Sequence, residues 1–163
     1  MNQTTSEIFI FDFDGTIIDS SHRALSHSDG SINLDHWKEN CTKDKIFNDT
    51  LMPLYEYARR LSNNGYDCYG CTARTLTKHD WEFFFMCNLD TIFNKIYYRP
   101  TGCETKDSEL KSKQLRHFFN FKQFKDREKI FIDDNEGNRL ALEKMGATVY
   151  NPLNEDWVNS LTA

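Results

Sequence analysis

No apolar run in this sequence approaches the ~20 residues needed to cross a bilayer, so a membrane-spanning protein is not expected. The opening residues, MNQTTSE, are polar and carry no apolar secretory segment, so secretion is not expected either. No internal repeat and no low-complexity tract is present, which excludes solenoids and compositionally disordered arrays. Positive charge is not in excess. The formal net charge is -5, so no global basic field draws nucleic acid, and any such contact must use a local cluster of Arg and Lys. Cysteines number five, an odd count without a secretory segment, which points to a reducing, cytoplasmic compartment. Cys68 and Cys71 in CYGC formally match a redox or zinc pair, but no second pair supplies the other two zinc ligands. On a strand, residues three apart also point to opposite faces.

What is present fits one globular domain over residues 1–163, with 39% hydrophobic and 28% charged residues and thirteen Phe. Strand and helix patterns alternate. Strands are expected at 8–13, 66–74, 91–100, 128–135 and 147–152, and helices at 50–65, 77–89, 106–119 and 136–146. The alternation predicts an α/β fold: a three-layer, Rossmann-like sandwich around a mainly parallel five-stranded sheet. Residues 20–50 break the rhythm. They are polar, too few for a core of their own, and are read as a loop with one or two helical turns that overhangs the site, with Trp37 anchoring it to the body. His22, His27 and His36 in this insert are expected to face solvent.

In such sheets the ligand lies at the carboxyl ends of the strands. There the sequence places Asp12 and Asp14, Thr72 and Arg74, Arg99, and Asp133 and Asp134. One Asp-Gly pair after a strand can be a solvated turn. Two strands that each end in two acids are harder to explain that way, because four bare carboxylates at one sheet edge repel. A hard divalent cation relieves that repulsion, and oxygen-only ligands suit Mg²⁺. The metal set expected is Asp12, Asp14, Asp133 and Asp134.

DFDGTII resembles the first motif of the haloacid dehalogenase (HAD) superfamily, two Asp flanking one residue and then Gly-Thr. CTAR is similar to its second motif, a helix Lys supplies the third, and IFIDDN resembles the fourth; the order agrees over about residues 8–150. The resemblance implies a HAD fold with no cap or a minimal one. It implies Asp12 as nucleophile, forming an aspartyl-phosphate, and Asp14 as acid and then base, with its main chain on Mg²⁺. It implies Thr72 on the phosphoryl oxygens, Gly15 in the substrate-binding loop, and Asp133 and Asp134 at the metal. Dehalogenases lack an acid at the position of Asp14, so a phosphatase is favoured.

The catalytic Lys is ambiguous. In relatives it follows an apolar residue on the helix, which selects Lys111 after Leu110, with Lys113 as the spare and Lys106 as solvated surface. Arg23, Arg74 and Arg99 have the spacing of the 3'-phosphatase domain of phage polynucleotide kinase/phosphatase, to which this part of the chain is similar. The P-loop sequence of a kinase half is absent. Three Arg forks suit a phosphoryl group beside a phosphodiester. The expectation is therefore a Mg²⁺-dependent phosphomonoesterase acting on 3'-phosphates of nucleic-acid ends or nucleotides, with no membrane or protein partner and a possible phage origin. The alternatives are a nucleotidase for small nucleoside monophosphates and, from another class, a non-catalytic phosphate-end binding module. The intact Asp12, Asp14 and Thr72 argue against the last, since binding alone needs no nucleophile.

Overall fold

The structure, a computed structural model, describes residues 5–154. In chain order its elements are β1 (Glu7–Phe11), β2 (Ile18–Asp19), α1 (Leu34–Glu39), α2 (Lys43–Ile46), β3 (Thr50–Leu51), α3 (Leu54–Asn63), β4 (Asp67–Cys71), α4 (Lys78–Met86), α5 (Leu89–Ile92), β5 (Lys95–Tyr97), α6 (Asp107–Leu115), α7 (His117–Asn120), α8 (Lys122–Lys125), β6 (Glu128–Ile132), α9 (Glu136–Met145) and β7 (Thr148–Tyr150). Five strands form one sheet in the order β5-β4-β1-β6-β7, with every pairing parallel. The chain moves outward from β1 through β4 to β5, then returns to β6 and β7 on the other side. β1 is therefore the point where the winding reverses, and a crevice opens beyond its carboxyl end.

Both faces of the sheet are covered, which explains the unbroken apolar run of β1. Phe9 and Phe11 point to one side, where they meet Ile130 and Ile132 of β6 and residues of α3, α4 and α5. Ile8 and Ile10 point to the other, against Phe131, Leu115, Phe118 and Leu142 from β6, α6, α7 and α9. The two cysteines of CYGC divide in the same way, Cys68 into the first core and Cys71 into the second. Burial pushes both thiols up to about 12, so they act as small apolar groups. Among the described residues no helix is long and apolar enough to cross a membrane.

Some expected elements are shorter. The strand expected over 91–100 is reduced to Lys95–Tyr97. Asn88 takes the left-handed conformation (φ 58°), ends the run begun by α4, and starts α5, which buries Leu89 and Ile92 at helical spacing. The helix expected at 106–119 is split at Arg116 into α6 and α7. Thr50 and Leu51 pair with β2 instead of starting α3. α4 is started by Thr77, in a capping box with Asp80. Residues 20–50 hold α1, α2, β2–β3 pairing at their edges and a small hairpin in which Ser26 bridges Ile32.

Candidate active site

The site is built on the turn after β1. Asp12 continues the ladder, its N–H donating to the Ile132 carbonyl at 2.9 Å. The next side chain, Phe13, turns inward and is fully buried, its ring 5.2 Å from Phe84 and 5.5 Å from Phe93. This is why the two acids are separated by one aromatic: the inward residue anchors the strand end while Asp12 and Asp14 face the crevice. Gly70 on β4 makes room for that ring, since a Cβ there would lie 2.6 Å from it. The Phe13 carbonyl then accepts N–H bonds from Thr16, Ile17 and Ile18 at 2.8–3.1 Å, closing a tight turn. Gly15 within it has φ +77°, and a Cβ would fall 2.3 Å from Asp134 Oδ2. Both the backbone and the space require glycine.

Lys111 ties the carboxylates together. Its Nζ donates to Asp12 Oδ1 at 2.6 Å and to Asp133 Oδ2 at 2.7 Å. All three groups are buried. Asp133 also accepts from Asn135 N (2.8 Å) and Asn138 Nδ2 (3.0 Å), so α9 fixes its orientation. Thr16 Oγ1 donates to Asp12 Oδ2 at 3.2 Å. Carboxylate oxygens of Asp12, Asp133 and Asp134 lie within 4.8 Å of one another. One ammonium does not balance them. Burial and then repulsion from Asp133 push the Asp12 carboxyl well above its ordinary range, against the opposing pull of Lys111. The same two causes raise Asp134 to about 6. Burial disfavours the Lys111 charge, but Asp12 and Asp133 outweigh it and hold the ammonium firmly. A cluster of oxygen donors with uncompensated negative charge fits a hard divalent cation.

Asp14 has a different environment. Its side chain is turned to Arg74, which donates through Nε at 2.7 Å and through a second nitrogen, and to Ser20 Oγ at 2.6 Å. Burial alone would raise this carboxyl, yet the guanidinium and the Ser20 hydroxyl outweigh it and hold Asp14 below the ordinary range. The two acids of one motif are thus driven in opposite directions. Asp14 is also outside the set of three clustered carboxylates that the described residues offer a metal.

The structure places the predicted residues unequally. Asp12, Asp14, Gly15, Lys111, Asp133 and Asp134 line one cavity of about 190 Å³, whose wall also includes residues of the insert, among them Leu25, Ile32 and Trp37. Of the candidate lysines, only Lys111 reaches the acids; Lys113 pairs with Glu109 and Lys106 lies near Asp29, both exposed. Thr72 is fully buried and accepts Arg74 N at 3.2 Å. The three arginines were expected against substrate, but each lies in a buried ion pair and none lines this cavity. Arg23 forks onto Asp49 at 2.6 and 2.8 Å. Arg99 bonds Asp107 at 2.7 Å and the carbonyls of Ala73, Cys103 and Thr105. The physical reason is charge: a fully buried guanidinium needs a carboxylate beside it. Asp49, Asp80 and Asp107 supply them. His22, expected to face solvent, contacts Asp49 at 2.8 Å. Trp37 does anchor the insert, its ring lying 4.2 Å from the Arg23 guanidinium and 4.9 Å from that of Arg74.

Ser20, Asp49, Asp80, Asp107 and Asn138 were missed in the sequence. Only Asp107 carries a local signal, one helical turn before Lys111 and so on the same face.

The fold has many relatives among solved structures. A haloacid dehalogenase-like hydrolase from Streptococcus pneumoniae superposes with TM-score 0.61 over 91% of this chain and 85% of that one, at 18% identity. A HAD-superfamily hydrolase of subfamily IA from Geobacter sulfurreducens gives 0.59 over 89% and 88%, also at 18%. A chain of the Pnkp1/Rnl/Hen1 RNA repair complex gives 0.58 over 93% and 44%, at 19%. At these identities the likeness is one of fold: this is a HAD fold. In sequence, a 5'-deoxynucleotidase of Escherichia phage T5 is 40% identical over 82 residues, 48% of this chain and 34% of that protein, so the match spans about a third of the relative's length. The profile of the bacteriophage T5 5'-deoxynucleotidase family matches residues 1–160. With that match over nearly its whole length, on a HAD fold with the acid cluster in place, the chain belongs to the bacteriophage T5 5'-deoxynucleotidase family.

Proposed function

We propose that this protein is a divalent-metal-dependent nucleotidase that removes the phosphate of free deoxynucleoside monophosphates through an aspartyl-phosphate on Asp12. The observation that carries the chemistry is the Asp12 carboxylate held at 2.6 Å by Lys111, on the wall of a cavity shared with Asp14, Asp133 and Asp134. Asp12, Asp133 and Asp134, with the Asp14 main chain, would hold Mg²⁺, which when bound neutralises carboxylate and phosphate charge and so lets two anions approach.

Asp12 attacks phosphorus through one carboxylate oxygen, and the P–O bond to the nucleoside breaks. Lys111 stays between Asp12 and Asp133 and offsets charge as the phosphoryl group arrives. Asp14, protonated in the reactive complex, gives its proton to the leaving oxygen, so the nucleoside departs as the alcohol and Asp14 is left as the carboxylate. It then takes a proton from water, whose oxygen attacks phosphorus and frees Asp12. The ion pair with Arg74 favours the Asp14 carboxylate, the form required in this second half. Thr72, expected on the phosphoryl oxygens, is fully buried off the cavity wall with its Oγ1 accepting Arg74 N, and in this reading it holds the loop after β4. The substrate-binding roles expected of Arg23, Arg74 and Arg99 become supporting ones in this reading, because their donors are already engaged by Asp49, Asp14, Asp80 and Asp107.

The substrate class rests on two supports. The cavity is small and overhung by the insert, which suits a free nucleotide better than a chain end. The family is named for such an enzyme. The polynucleotide 3'-phosphatase reading drew its support from three arginines facing substrate, and that support is weakened by their placement.

A substrate panel tests this: deoxynucleoside 5'- and 3'-monophosphates, oligonucleotides with a 5'- or 3'-phosphate, and an aryl phosphate, each with Mg²⁺ or with EDTA. The 5'-monophosphates should have the highest kcat/KM, and EDTA should abolish turnover. A preference for the 3'-phosphorylated oligonucleotide would replace this reading with the polynucleotide one.

A further inference from the structure

Among the described residues Arg74 is the guanidinium hydrogen-bonded to Asp14, and it does not end there. Its third donor, Nη1, bonds Asp80 Oδ1 at 3.1 Å. Asp80 is fully buried. Its other oxygen, Oδ2, accepts from Thr77 N at 2.7 Å and from Thr77 Oγ1 at 2.9 Å; the first of these, with Asp80 N donating to Thr77 Oγ1 at 3.4 Å, makes the capping box that starts α4. One carboxylate thus divides its two oxygens between a helix cap and the arginine that holds Asp14. α4 is itself seated in the core through Phe83 and Phe84, and Phe84 packs edge-on against Phe13, the residue between the two catalytic acids. The flat face of Arg74 lies over Trp37 (4.9 Å) and Phe84 (5.7 Å). The guanidinium is thus bounded by these two rings and held at its edge by Asp14 and Asp80, with Asp49 Oδ2 3.8 Å away.

We propose that Asp80 is a positioning residue for the reaction: by anchoring Arg74 to the first turn of α4 it fixes the carboxylate of Asp14 toward the leaving group and the water. This rests on the reading that Asp14 acts in turnover. It gives Asp80 a role separable from helix capping, because the cap uses Oδ2 and the anchor uses Oδ1. A side chain that could follow Asp14 freely would let that acid leave its productive geometry, and small displacements of reacting groups are costly in rate.

The test separates the two jobs of Asp80. Thr77→Ala weakens the cap and leaves the Asp80–Arg74 bond in place; it should lower Tm but keep kcat within about twofold. Asp80→Asn removes the charge and cannot accept from both sides. It should lower kcat for a deoxynucleoside monophosphate about tenfold to a hundredfold, with KM within about twofold. In an Arg74→Lys background, where no fork spans Asp14 and Asp80, adding Asp80→Asn should cost less than about threefold more, since residues acting through one another are not additive. If Thr77→Ala and Asp80→Asn lower kcat by the same factor, Asp80 is only a cap. If the losses of Asp80→Asn and Arg74→Lys multiply, it does not act through Arg74. Should Asp80→Asn fail to fold, Asp80→Glu keeps the charge but moves it one methylene from α4, and wild-type kcat in that variant would overturn the proposal. A wild-type protein inactive on all phosphomonoesters counts instead against the nucleotidase reading.

Discussion

Replacing Asp134 by Asn should make the metal-free protein more stable at neutral pH, and the size can be worked out. Burial and the neighbouring Asp133 carboxylate raise the Asp134 carboxyl from 3.8 to about 6. At ~1.4 kcal/mol per pH unit, keeping it ionised in the folded state costs at most about 3 kcal/mol. Asn has nearly the same shape and no charge, but it loses some of the carboxylate's contacts. The net gain should be about 1–2 kcal/mol at pH 7.5, a rise in Tm of roughly 2–6 °C. The folded state binds this proton more tightly than the unfolded chain does. The stabilisation from protonation is therefore complete below pH 3.8 and is lost as pH rises through about 6. The advantage of Asp134→Asn should accordingly shrink toward zero by pH 4. Urea unfolding in EDTA at pH 7.5 and pH 4 measures both ends. Saturating Mg²⁺ should stabilise the wild type by more than the variant, since a ligand at 100 times its Kd contributes about 2.7 kcal/mol. A variant destabilised equally at both pH values would refute the reasoning, because the acid cluster would then be a packed structural feature rather than a strained, metal-seeking one.

Asp12→Asn should abolish turnover, since a carboxamide does not attack phosphorus, and thermal unfolding should show a fold no less stable than wild type. Asp14→Asn should slow release of a nucleoside alkoxide more than release of an aryl oxide, which needs less protonation; comparing kcat on the two substrates checks this. Lys111→Met should remove activity and cost about 3–5 kcal/mol, as it leaves two buried carboxylates facing one another, whereas Lys113→Met on the exposed face of α6 should change neither kcat nor Tm measurably. Gly70→Ala should cost about 1–3 kcal/mol in urea unfolding, because its Cβ would fall 2.6 Å from the Phe13 ring.

The site was most legible where covalent sequence and geometry coincide. β1 and β6 are apolar runs that each end in acids, and parallel neighbours bring those ends together without help from any distant residue. Lys111 is chosen over Lys113 by resemblance, because the lysine of relatives follows an apolar residue as Lys111 follows Leu110. The sequence puts the three arginines on loops at the site's edge of the sheet but does not say what they hold. Arg23 meets an acid 26 residues away and Arg74 one 60 residues away. A charge is visible in a sequence, while its partner is set by tertiary contact. The lower half of the expected third strand was misread for a similar reason. Thr91 and Ile92, expected in that strand, lie in α5 instead, and the left-handed Asn88 from which that helix starts is not announced by composition. The opposite shifts of Asp12 and Asp14 could not be read at all, since one depends on burial beside Asp133 and the other on Arg74 and Ser20 reaching Asp14, all set by tertiary contact.

The central claim is that Asp12 carries the phosphoryl group during turnover. Turnover of a deoxynucleoside monophosphate with Mg²⁺ in the presence of hydroxylamine, followed by peptide mass spectrometry, tests it directly. An acyl phosphate reacts with hydroxylamine to give a hydroxamate at the carboxyl that held it. The account predicts a hydroxamate at Asp12, present only with substrate and enriched in Asp14→Asn, where hydrolysis of the intermediate is slowed. A modification at another carboxylate, or active enzyme that never acquires one at Asp12, would contradict it.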